Sequence, residues 1–339
     1  MKPKLENIHK ILIMQFKPYG DVLLTTSYLK ALSERFPDAQ IDFLVFESYH
    51  HILEKNPYID NVIVLPKKKK LGYLTERIKL FYKINRRIYD LIIDQQNNTG
   101  SFEVLLFSGA RYRLGWYNAK ARMLYNIKAR RGNTRYSASK KFDLLKPLGI
   151  EEQPYKLHYH IREESRQYID DWLQQENLSG KPIICISPGS PVASKKWDLK
   201  NYARLADLIL QNTDFPVVLL WGPREYQDVQ TVAGNMQEQP VLAPPTDFNQ
   251  AAAFLERCAL LICNDGGLNH LSVATETPAL AIFGRTTTKN WSPQGVFPGH
   301  YHIVNPDWKK DGDQTFGISP KDVFAKVRGI LAELGVTSP

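Results

Sequence analysis

Apolar runs of strand length alternate with longer amphipathic stretches through the first half of the chain. The pattern predicts strands over 9–16, 41–46, 62–66 and 91–96, and helices over 22–36 and 73–88. Continuous apolar strands separated by helices are typical of βαβ units and a parallel sheet. Residues 116–160 are rich in Tyr, Arg and polar side chains, and their weak periodicity predicts no clear element.

The alternation restarts in the second half. It predicts strands over 181–190, 215–222, 259–264 and 279–284, and helices over 161–178, 199–212, 225–236, 248–258, 268–275 and 318–335. The last helix is predicted to start with Ser319 as its N-cap and Pro320 in its first turn. The chain therefore predicts an α/β fold of two doubly wound domains, residues 1–160 and 161–339.

Composition narrows the class of protein. The 339 residues are enough for two domains, and no apolar run approaches the roughly 20 residues that a membrane-spanning helix needs. The basic start of residues 1–16 leads into a short apolar stretch, which predicts a first strand rather than a signal peptide. Three cysteines lie in apolar runs and form no CxxC pair, which predicts buried free thiols and a cytoplasmic protein.

The net charge of +9 is concentrated in two places. One is the run Lys67–Lys70. The other, residues 111–141, has no Asp or Glu and holds ten cations: Arg111, Arg113, Lys120, Arg122, Lys128, Arg130, Arg131, Arg135, Lys140 and Lys141. Five aromatic residues are interleaved with them. Such a stretch suits nucleic acid, an anionic membrane surface or an acidic glycolipid, and a solvated surface is the alternative.

Five turns that follow predicted strands combine glycine with polar or charged residues. They are FKPYGDVLLTT (16–26), SPGSPVASKKW (187–197), WGPREYQD (221–228), NDGGLNH (264–270) and FGRTTTKNW (283–291). In open parallel sheets, ligands bind outside the carboxyl ends of the strands. The turns therefore predict a cleft for a small ligand and argue against a nucleic-acid binder with a flat basic face.

The turn at 264–270 predicts an anion site. Gly266 and Gly267 would let a phosphate approach the free N–H groups of the following helix. Asp265 could accept hydrogen bonds from a sugar hydroxyl or serve only as a helix N-cap. His270, one turn into the helix, could contact the ligand or be packed in the interior.

The other turns supply charged candidates. Lys195, beyond the turn that contains Ser190, could neutralise a diphosphate or be solvated. Glu225 could accept the hydroxyls of a ribose or interact with a helix dipole. Asp21, after Gly20, could be a general base or only an N-cap.

Motifs of competing enzyme classes are missing from the sequence. There is no GxxxxGK[ST] P-loop, no GxGxxG after the first strand, no GxSxG and no HExxH. The triplet Asp311-Gly312-Asp313 has the DxD form of metal-dependent glycosyltransferases, but its place late in a polar loop favours a turn.

Four stretches together resemble the heptosyltransferases of lipopolysaccharide core assembly, glycosyltransferase family 9. They are YGDVLLTT, SPGSPVASKKWDLKNYARLA, WGPREYQD and NDGGLNHLSVATETPALAIFG, and the resemblance covers nearly the whole chain. The family's Asp-[Ser/Thr]-Gly-x-x-His pattern falls on Asp265, Gly266, Gly267 and His270. Its Gly-Asp turn falls on Gly20 and Asp21, and its lysine before a basic residue and Trp falls on Lys195.

The resemblance implies a GT-B fold of two Rossmann-like domains facing a central cleft, and transfer with inversion, without a metal or other cofactor. An ADP-heptose-like nucleotide-sugar would bind through Gly20, Ser190, Lys195, Glu225, Asp265, Gly266, Gly267 and His270. A lipopolysaccharide inner-core acceptor would bind the N-terminal half, with Lys17, Arg113, Arg130, Arg131 and Arg135 as its candidate ligands and a peripheral position at the cytoplasmic face of the inner membrane.

In the predicted mechanism, Asp21 removes the proton of the acceptor hydroxyl, and Lys195 with the N–H groups at Gly266 and Gly267 stabilises the departing diphosphate. Three departures from the family leave the exact donor and acceptor open: Gly266 in place of Ser or Thr, Ser27 in place of Pro, and Arg285. The alternatives are a GT-B enzyme that uses another nucleotide-sugar and a non-catalytic protein that binds a nucleotide-sugar or an anionic glycan.

Overall fold

The computed structural model describes residues 5–66, 71–117, 123–308 and 312–336. The chain divides into two compact units, Met1–His160 and Ile161–Pro339, each built around a six-stranded parallel sheet. Four features named from the sequence lie wholly or partly outside the described residues: the Lys67–Lys70 run, Lys120, Arg122 and the Asp311 end of the DxD triplet.

The first unit has its strands in the order β3-β2-β1-β4-β5-β6. The strands are β1 Lys10–Met14, β2 Gln40–Phe46, β3 Asn61–Leu65, β4 Leu91–Asp94, β5 Tyr112–Trp116 and β6 Ile127–Ala129. The helices are α1 Tyr19–Thr25, α2 Leu29–Arg35, α3 Leu71–Arg87, α4 Thr99–Phe107 and α5 Ser137–Leu145. Strand order reverses between β1 and β4, which is where a doubly wound sheet opens a ligand crevice.

Helices of the first unit cover both faces of its sheet. α1 and α2 connect β1 to β2, whereas α3 connects β3 to β4 in the opposite direction across the sheet. Right-handed crossovers therefore put α3 on the other face. There Leu80 and Ile84 of α3 pack with Val104 and Leu105 of α4 in one buried cluster.

The second unit has its strands in the order β12-β11-β10-β7-β8-β9. The strands are β7 Ile183–Ser187, β8 Val217–Leu219, β9 Val241–Leu242, β10 Cys258–Asn264, β11 Ala279–Phe283 and β12 His300–Val304. The helices are α6 Glu163–Gln175, α7 Leu199–Asn212, α8 Tyr226–Asn235, α9 Phe248–Leu255, α10 Gly267–Ala274, α11 Thr288–Trp291 and α12 Pro320–Glu333. Here strand order reverses between β7 and β10.

Each of the eight predicted strands overlaps an observed strand, and α7 has the predicted bounds, but the sequence does not predict β5, β6, β9 and β12. The N-cap of α12 is also confirmed, because the Ser319 side chain accepts a hydrogen bond from the backbone N–H of Asp322. The three cysteines are buried and free, as predicted. Among the described residues, no helix combines the length and the apolar character required to cross a bilayer.

The prediction of a single helix over 22–36 is wrong. The segment is broken by a 3₁₀ turn at Thr26–Tyr28 between α1 and α2. The hydroxyls of Thr25 and Thr26 each donate 2.7 Å hydrogen bonds to main-chain carbonyls of α1, those of Asp21 and Leu23. Such bonds offer the backbone an alternative to regular helix and favour a bend.

Candidate functional site

Asn264, the last residue of β10, fixes the loop that follows β7. Its amide nitrogen donates to the carbonyl oxygens of Pro188 (2.9 Å) and Gly189 (3.1 Å). Its amide oxygen accepts from the Trp197 backbone N–H (2.9 Å) and the Tyr202 hydroxyl (3.0 Å). A buried amide with its hydrogen-bonding capacity used in this way holds both strand ends rigidly. The sequence analysis missed this residue, although it opens the NDGGLNH turn.

Asp265 and Lys195 form an ion pair at this edge of the sheet. Lys195 Nζ lies 2.7 Å from Asp265 Oδ2, and the Asp265 side chain is only 2% exposed. Lys195 Nζ also lies 5.7 Å from the centre of the Trp291 ring. The N-cap of α10 is Gly266, and no side chain caps the helix, so the simple capping alternative for Asp265 is wrong.

The amino end of α10 is open around its two glycines. A Cβ built on Gly266 would meet no atom closer than 3.8 Å, and one on Gly267 would meet nothing within 4 Å. No neighbouring atom therefore requires glycine here, and the backbone N–H groups can meet an anion closely. His270 lies deeper in the same helix and is buried, with its ring centre 6.1 Å from that of Trp291.

The Glu225 carboxylate lies between the loops that follow β7 and β8. Its Oε2 accepts a 3.0 Å hydrogen bond from the Gly222 backbone N–H, and burial raises the pKa of the carboxyl. A Cβ on Gly189 would lie 2.3 Å from the Glu225 Cδ, so glycine is required for this approach. Glu225 occupies the N-cap position of α8, but its side chain makes no cap hydrogen bond there.

Two neighbours in the loop after β7 are engaged locally. The Ser190 hydroxyl accepts from the Val192 N–H (3.2 Å) and donates to the Val192 carbonyl (3.1 Å), closing a tight turn. Lys196 forms its own 2.7 Å ion pair with Asp228 of α8. Of the two adjacent lysines, Lys195 is therefore the one beside the amino end of α10.

In the first unit, Asp21 lies next to a buried lysine. Asp21 is the third residue of α1, whose N-cap is Pro18, so the capping alternative for Asp21 is wrong. Lys141 Nζ of α5 lies 3.7 Å from Asp21 Oδ1, and its side chain is 11% exposed. Burial lowers the pKa of Lys141 to about 8, and the charges of Lys17 and Arg131 act in the same direction.

In the sequence, Lys141 is one of the ten cations within residues 111–141, and no local pattern marks it as a site residue. The structure places it with Asp21 and within electrostatic range of Lys17 and Arg131. The three cations come from separate parts of the chain: Lys17 from the turn after β1, Arg131 from the segment after β6, and Lys141 from α5. A carboxylate among several cations can bind and orient a polar, anionic substrate and accept a proton from it.

The five candidate acceptor ligands differ in their surroundings. Arg113 donates to the carbonyls of Leu124 (2.7 Å) and Ala110 (2.9 Å), which ties neighbouring loops. Arg135 is bound to the carboxylates of Asp143 and Glu152. The segment 111–141 is thus partly neutralised by acids from outside it, and both arginines have a structural task.

Arg130 and Arg131 are placed differently from those two. Their guanidinium carbons lie 5.7 Å and 4.5 Å from the ring centres of Tyr117 and Trp116, respectively. Trp116 ends β5, so both cations are held by aromatic rings at the carboxyl edge of the first sheet. The described residues include no group of three or more His, Cys, Asp or Glu side chains placed to hold a metal ion.

Comparisons with known proteins identify the family of the chain. A sequence model of glycosyltransferase family 9 (heptosyltransferase) matches residues 77–305, more than half of the chain. Lipopolysaccharide heptosyltransferase 2 of Salmonella typhimurium is 24% identical over 366 aligned positions, which cover 96% of this chain and 100% of that protein.

Solved structures show the same fold. A family 9 glycosyl transferase from Veillonella parvula matches with a TM-score of 0.84 at 25% identity, covering 96% of this chain and 97% of that one. E. coli heptosyltransferase WaaC, solved with ADP-2-deoxy-2-fluoro heptose, matches with a TM-score of 0.72 at 19% identity, covering 94% and 99%. With two Rossmann-like units of the GT-B type and a family match over most of its length, the chain belongs to glycosyltransferase family 9, the heptosyltransferases.

Proposed function

We propose that this protein transfers heptose from ADP-heptose to an acceptor in the inner core of lipopolysaccharide, with inversion and without a metal. The observation that carries the proposal is the Lys195–Asp265 pair beside the open amino end of α10. These residues stand where the family pattern places its Asp and Lys. The ADP-heptose analogue bound by the similar E. coli WaaC supports the choice of donor.

The donor would bind at the carboxyl edge of the second sheet. Backbone N–H groups at the start of α10 would donate to the diphosphate, and Lys195 would add a full positive charge. Glu225 would accept hydrogen bonds from the ribose through the lone pairs left by its bond to Gly222. As the bond to the heptose breaks, the same donors would stabilise the charge that develops on ADP.

The acceptor would be activated in the first unit. Asp21 would accept the proton of the attacking hydroxyl, while Lys141 orients the carboxylate from 3.7 Å away. Attack on the face of the anomeric carbon opposite the departing ADP inverts its configuration. Lys17, Arg130 and Arg131 would bind phosphate or carboxylate groups of the inner core.

Gly266 supports a second candidate for the donor, a different nucleotide-sugar. The family usually has Ser or Thr there, and the open space around Gly266 would admit a group larger than a hydroxyl. A GT-B enzyme that uses another nucleotide-sugar is therefore the second candidate.

The test is to titrate the purified protein with ADP-heptose, ADP-glucose, UDP-glucose and GDP-mannose, and to follow the melting temperature. We expect ADP-heptose to give the largest shift. Transfer to heptose-deficient lipopolysaccharide should proceed in the presence of EDTA, with NMR of the product showing the inverted anomeric configuration. A larger shift and faster transfer with a different nucleotide-sugar would favour the second candidate, and loss of activity in EDTA would refute the metal-free mechanism.

A further inference from the structure

Helix α3 carries two separate apolar surfaces. One contains Leu80 and Ile84, which are buried against the sheet of the first unit. The other contains Leu74, Ile78 and Tyr82, which are 61%, 58% and 63% exposed. Side chains four residues apart line up along one side of a helix, so these three form a continuous exposed stripe. A helix that only covers a sheet needs one apolar side.

The end of α4 widens this stripe. Leu106 and Phe107 are more than half exposed, and the Phe107 ring stacks on Phe81 of α3 with centres 4.6 Å apart. The Asn85 amide donates to the Phe107 carbonyl at 3.1 Å, which fixes the two helices together. We call the set Leu74, Ile78, Tyr82, Leu106 and Phe107 the α3–α4 face. Isolated exposed apolar residues are ordinary, but a contiguous group marks an interaction surface.

Cations border the α3–α4 face. Lys79, Lys83 and Arg86 are exposed and follow the stripe around the helix. Arg86 Nη1 donates to the Tyr82 hydroxyl at 3.0 Å, with its guanidinium 5.4 Å from the ring centre. Glu76, paired with Lys79 at 3.0 Å, offsets part of this charge. Apolar side chains flanked by Lys and Arg, with a tyrosine at the border, are suited to the headgroup region of an anionic bilayer.

We propose that the α3–α4 face docks the protein on the surface of an anionic lipid bilayer. Its apolar side chains would enter the boundary between headgroups and acyl chains, and the bordering cations would pair with lipid phosphates. The inference rests on the proposed function in one respect, since a lipid-linked acceptor requires an enzyme at the membrane. It assigns the contact to α3 and α4 rather than to the basic segment 111–141.

A second copy of the chain fits this face less well than a bilayer. In a two-fold symmetric dimer each copy uses the same surface patch. Both copies would then present the same cations, Lys79, Lys83 and Arg86, so the dimer would offer them no anionic surface in return. An anionic bilayer meets both properties of the face, its apolar stripe and its positive border.

The test is co-sedimentation of the full chain with vesicles of phosphatidylcholine containing phosphatidylglycerol. Replacing Leu74, Ile78 and Tyr82 together by Gln keeps helix propensity and removes the apolar stripe. We expect vesicle affinity to fall by about 30-fold or more, because three partly inserted side chains are lost. Val296→Gln, which removes an exposed apolar residue of the second unit, should leave it unchanged. Binding to vesicles of phosphatidylcholine alone should be much weaker.

The outcomes separate this inference from the proposed function. Transfer to a detergent-dispersed acceptor should be the same in the triple variant and the wild type. A triple variant that keeps the wild-type melting temperature and still sediments like wild type would overturn the docking surface. So would a dimeric wild type that the substitutions convert to a monomer with unchanged vesicle binding, since the face would then join two copies. Wild-type protein that binds vesicles but transfers no heptose would refute only the proposed function.

Discussion

At the carboxyl edge of the second sheet, buried polar groups hold each other in fixed positions, whereas the charged groups proposed to bind the acceptor in the first unit make longer contacts. Asn264 makes four hydrogen bonds, three to the loop after β7 and one to Tyr202 of α7. Lys195 Nζ lies 2.7 Å from Asp265 Oδ2. Asp21 Oδ1 and Lys141 Nζ are 3.7 Å apart, and the Arg130 guanidinium lies over the Tyr117 ring.

The contrast fits the two substrates in the proposed function. A nucleoside diphosphate is a small, constant group, and a rigid constellation recognises it at low entropic cost. An inner-core acceptor would be large and branched, and cations on exposed side chains would adapt to its phosphates. The second unit is therefore expected to lose binding when one contact is removed, and the first unit to lose turnover at one residue and little at the others.

The largest expected effect is that of Asp21→Asn. The substitution keeps the size of the side chain and removes the base, so kcat should fall by roughly 10²- to 10⁴-fold. The affinity for ADP should not change, because the proposed donor residues other than Gly20 belong to the second unit. The measurements are steady-state kinetics and calorimetric titration with ADP. A variant with nearly wild-type kcat would remove Asp21 from the mechanism and break the contrast between the two sites.

Lys195→Ala should weaken ADP binding by about 10- to 100-fold, the scale of a lost hydrogen bond to a charged group. Lys196→Ala is the matched control, because Lys196 is the neighbouring residue and forms an ion pair of the same 2.7 Å length with Asp228. Calorimetry with ADP at low and high salt should show a large, salt-sensitive loss for Lys195→Ala alone. Equal losses in the two variants would mean that only general positive charge matters.

The sequence predicts the strands and turns of the second unit better than it predicts the contacts between their side chains. The apolar runs locate eight of the twelve strands that the structure describes, and the glycine-containing turns locate the proposed donor site, because local spacing encodes both. Local spacing could not separate a cap from an ion pair at Asp265, since its partner Lys195 is 70 residues away. The same holds for Asn264, whose partners come from the loop after β7 and from α7.

The acceptor side was harder to predict because long-range packing determines it. Residues 116–160 contain β6 and α5, yet their periodicity is weak. Tyr125 is buried there and donates a 2.6 Å hydrogen bond to Asp94 at the end of β4. Lys141 becomes distinctive only when α5 packs against α1 and buries it. Neither event leaves a pattern in neighbouring residues.

The next prediction concerns the replacement of Arg130 and Arg131 by Glu, which reverses both charges. The acceptor KM should rise about 10-fold, because two cations held over aromatic rings are lost and two repulsive charges are introduced. The Kd of ADP should stay the same. The control is reversal of Lys181 and Arg328, two exposed cations of the second unit, which matches the change in net charge. If the control raises the acceptor KM equally, net charge explains the effect and the site does not.

The smallest expected effect is the pH dependence contributed by Lys141. Its pKa in the folded chain is about 8, lowered from the ordinary 10.5 chiefly by burial. Between these values the unfolded chain binds more protons than the folded one, so this group makes the free energy of unfolding increase with pH. Lys141→Met removes that contribution. The wild-type free energy of unfolding minus that of Lys141→Met should therefore increase by about 1 kcal/mol between pH 7 and pH 9.

Urea unfolding of both proteins at the two pH values measures this difference, and other titrating groups cancel in it. Lys140→Met is the control, because Lys140 is adjacent in α5 and forms no ion pair with Asp21 among the described contacts. Its pKa is also lowered, chiefly by burial, and its difference should change in the same direction but by less than that of Lys141→Met. A difference for Lys141→Met that stays constant with pH would mean that Lys141 is solvated like an ordinary surface lysine. Asp21 would then have no buried cation beside it, and the proposed acceptor site would consist of Asp21 and the exposed cations Lys17, Arg130 and Arg131.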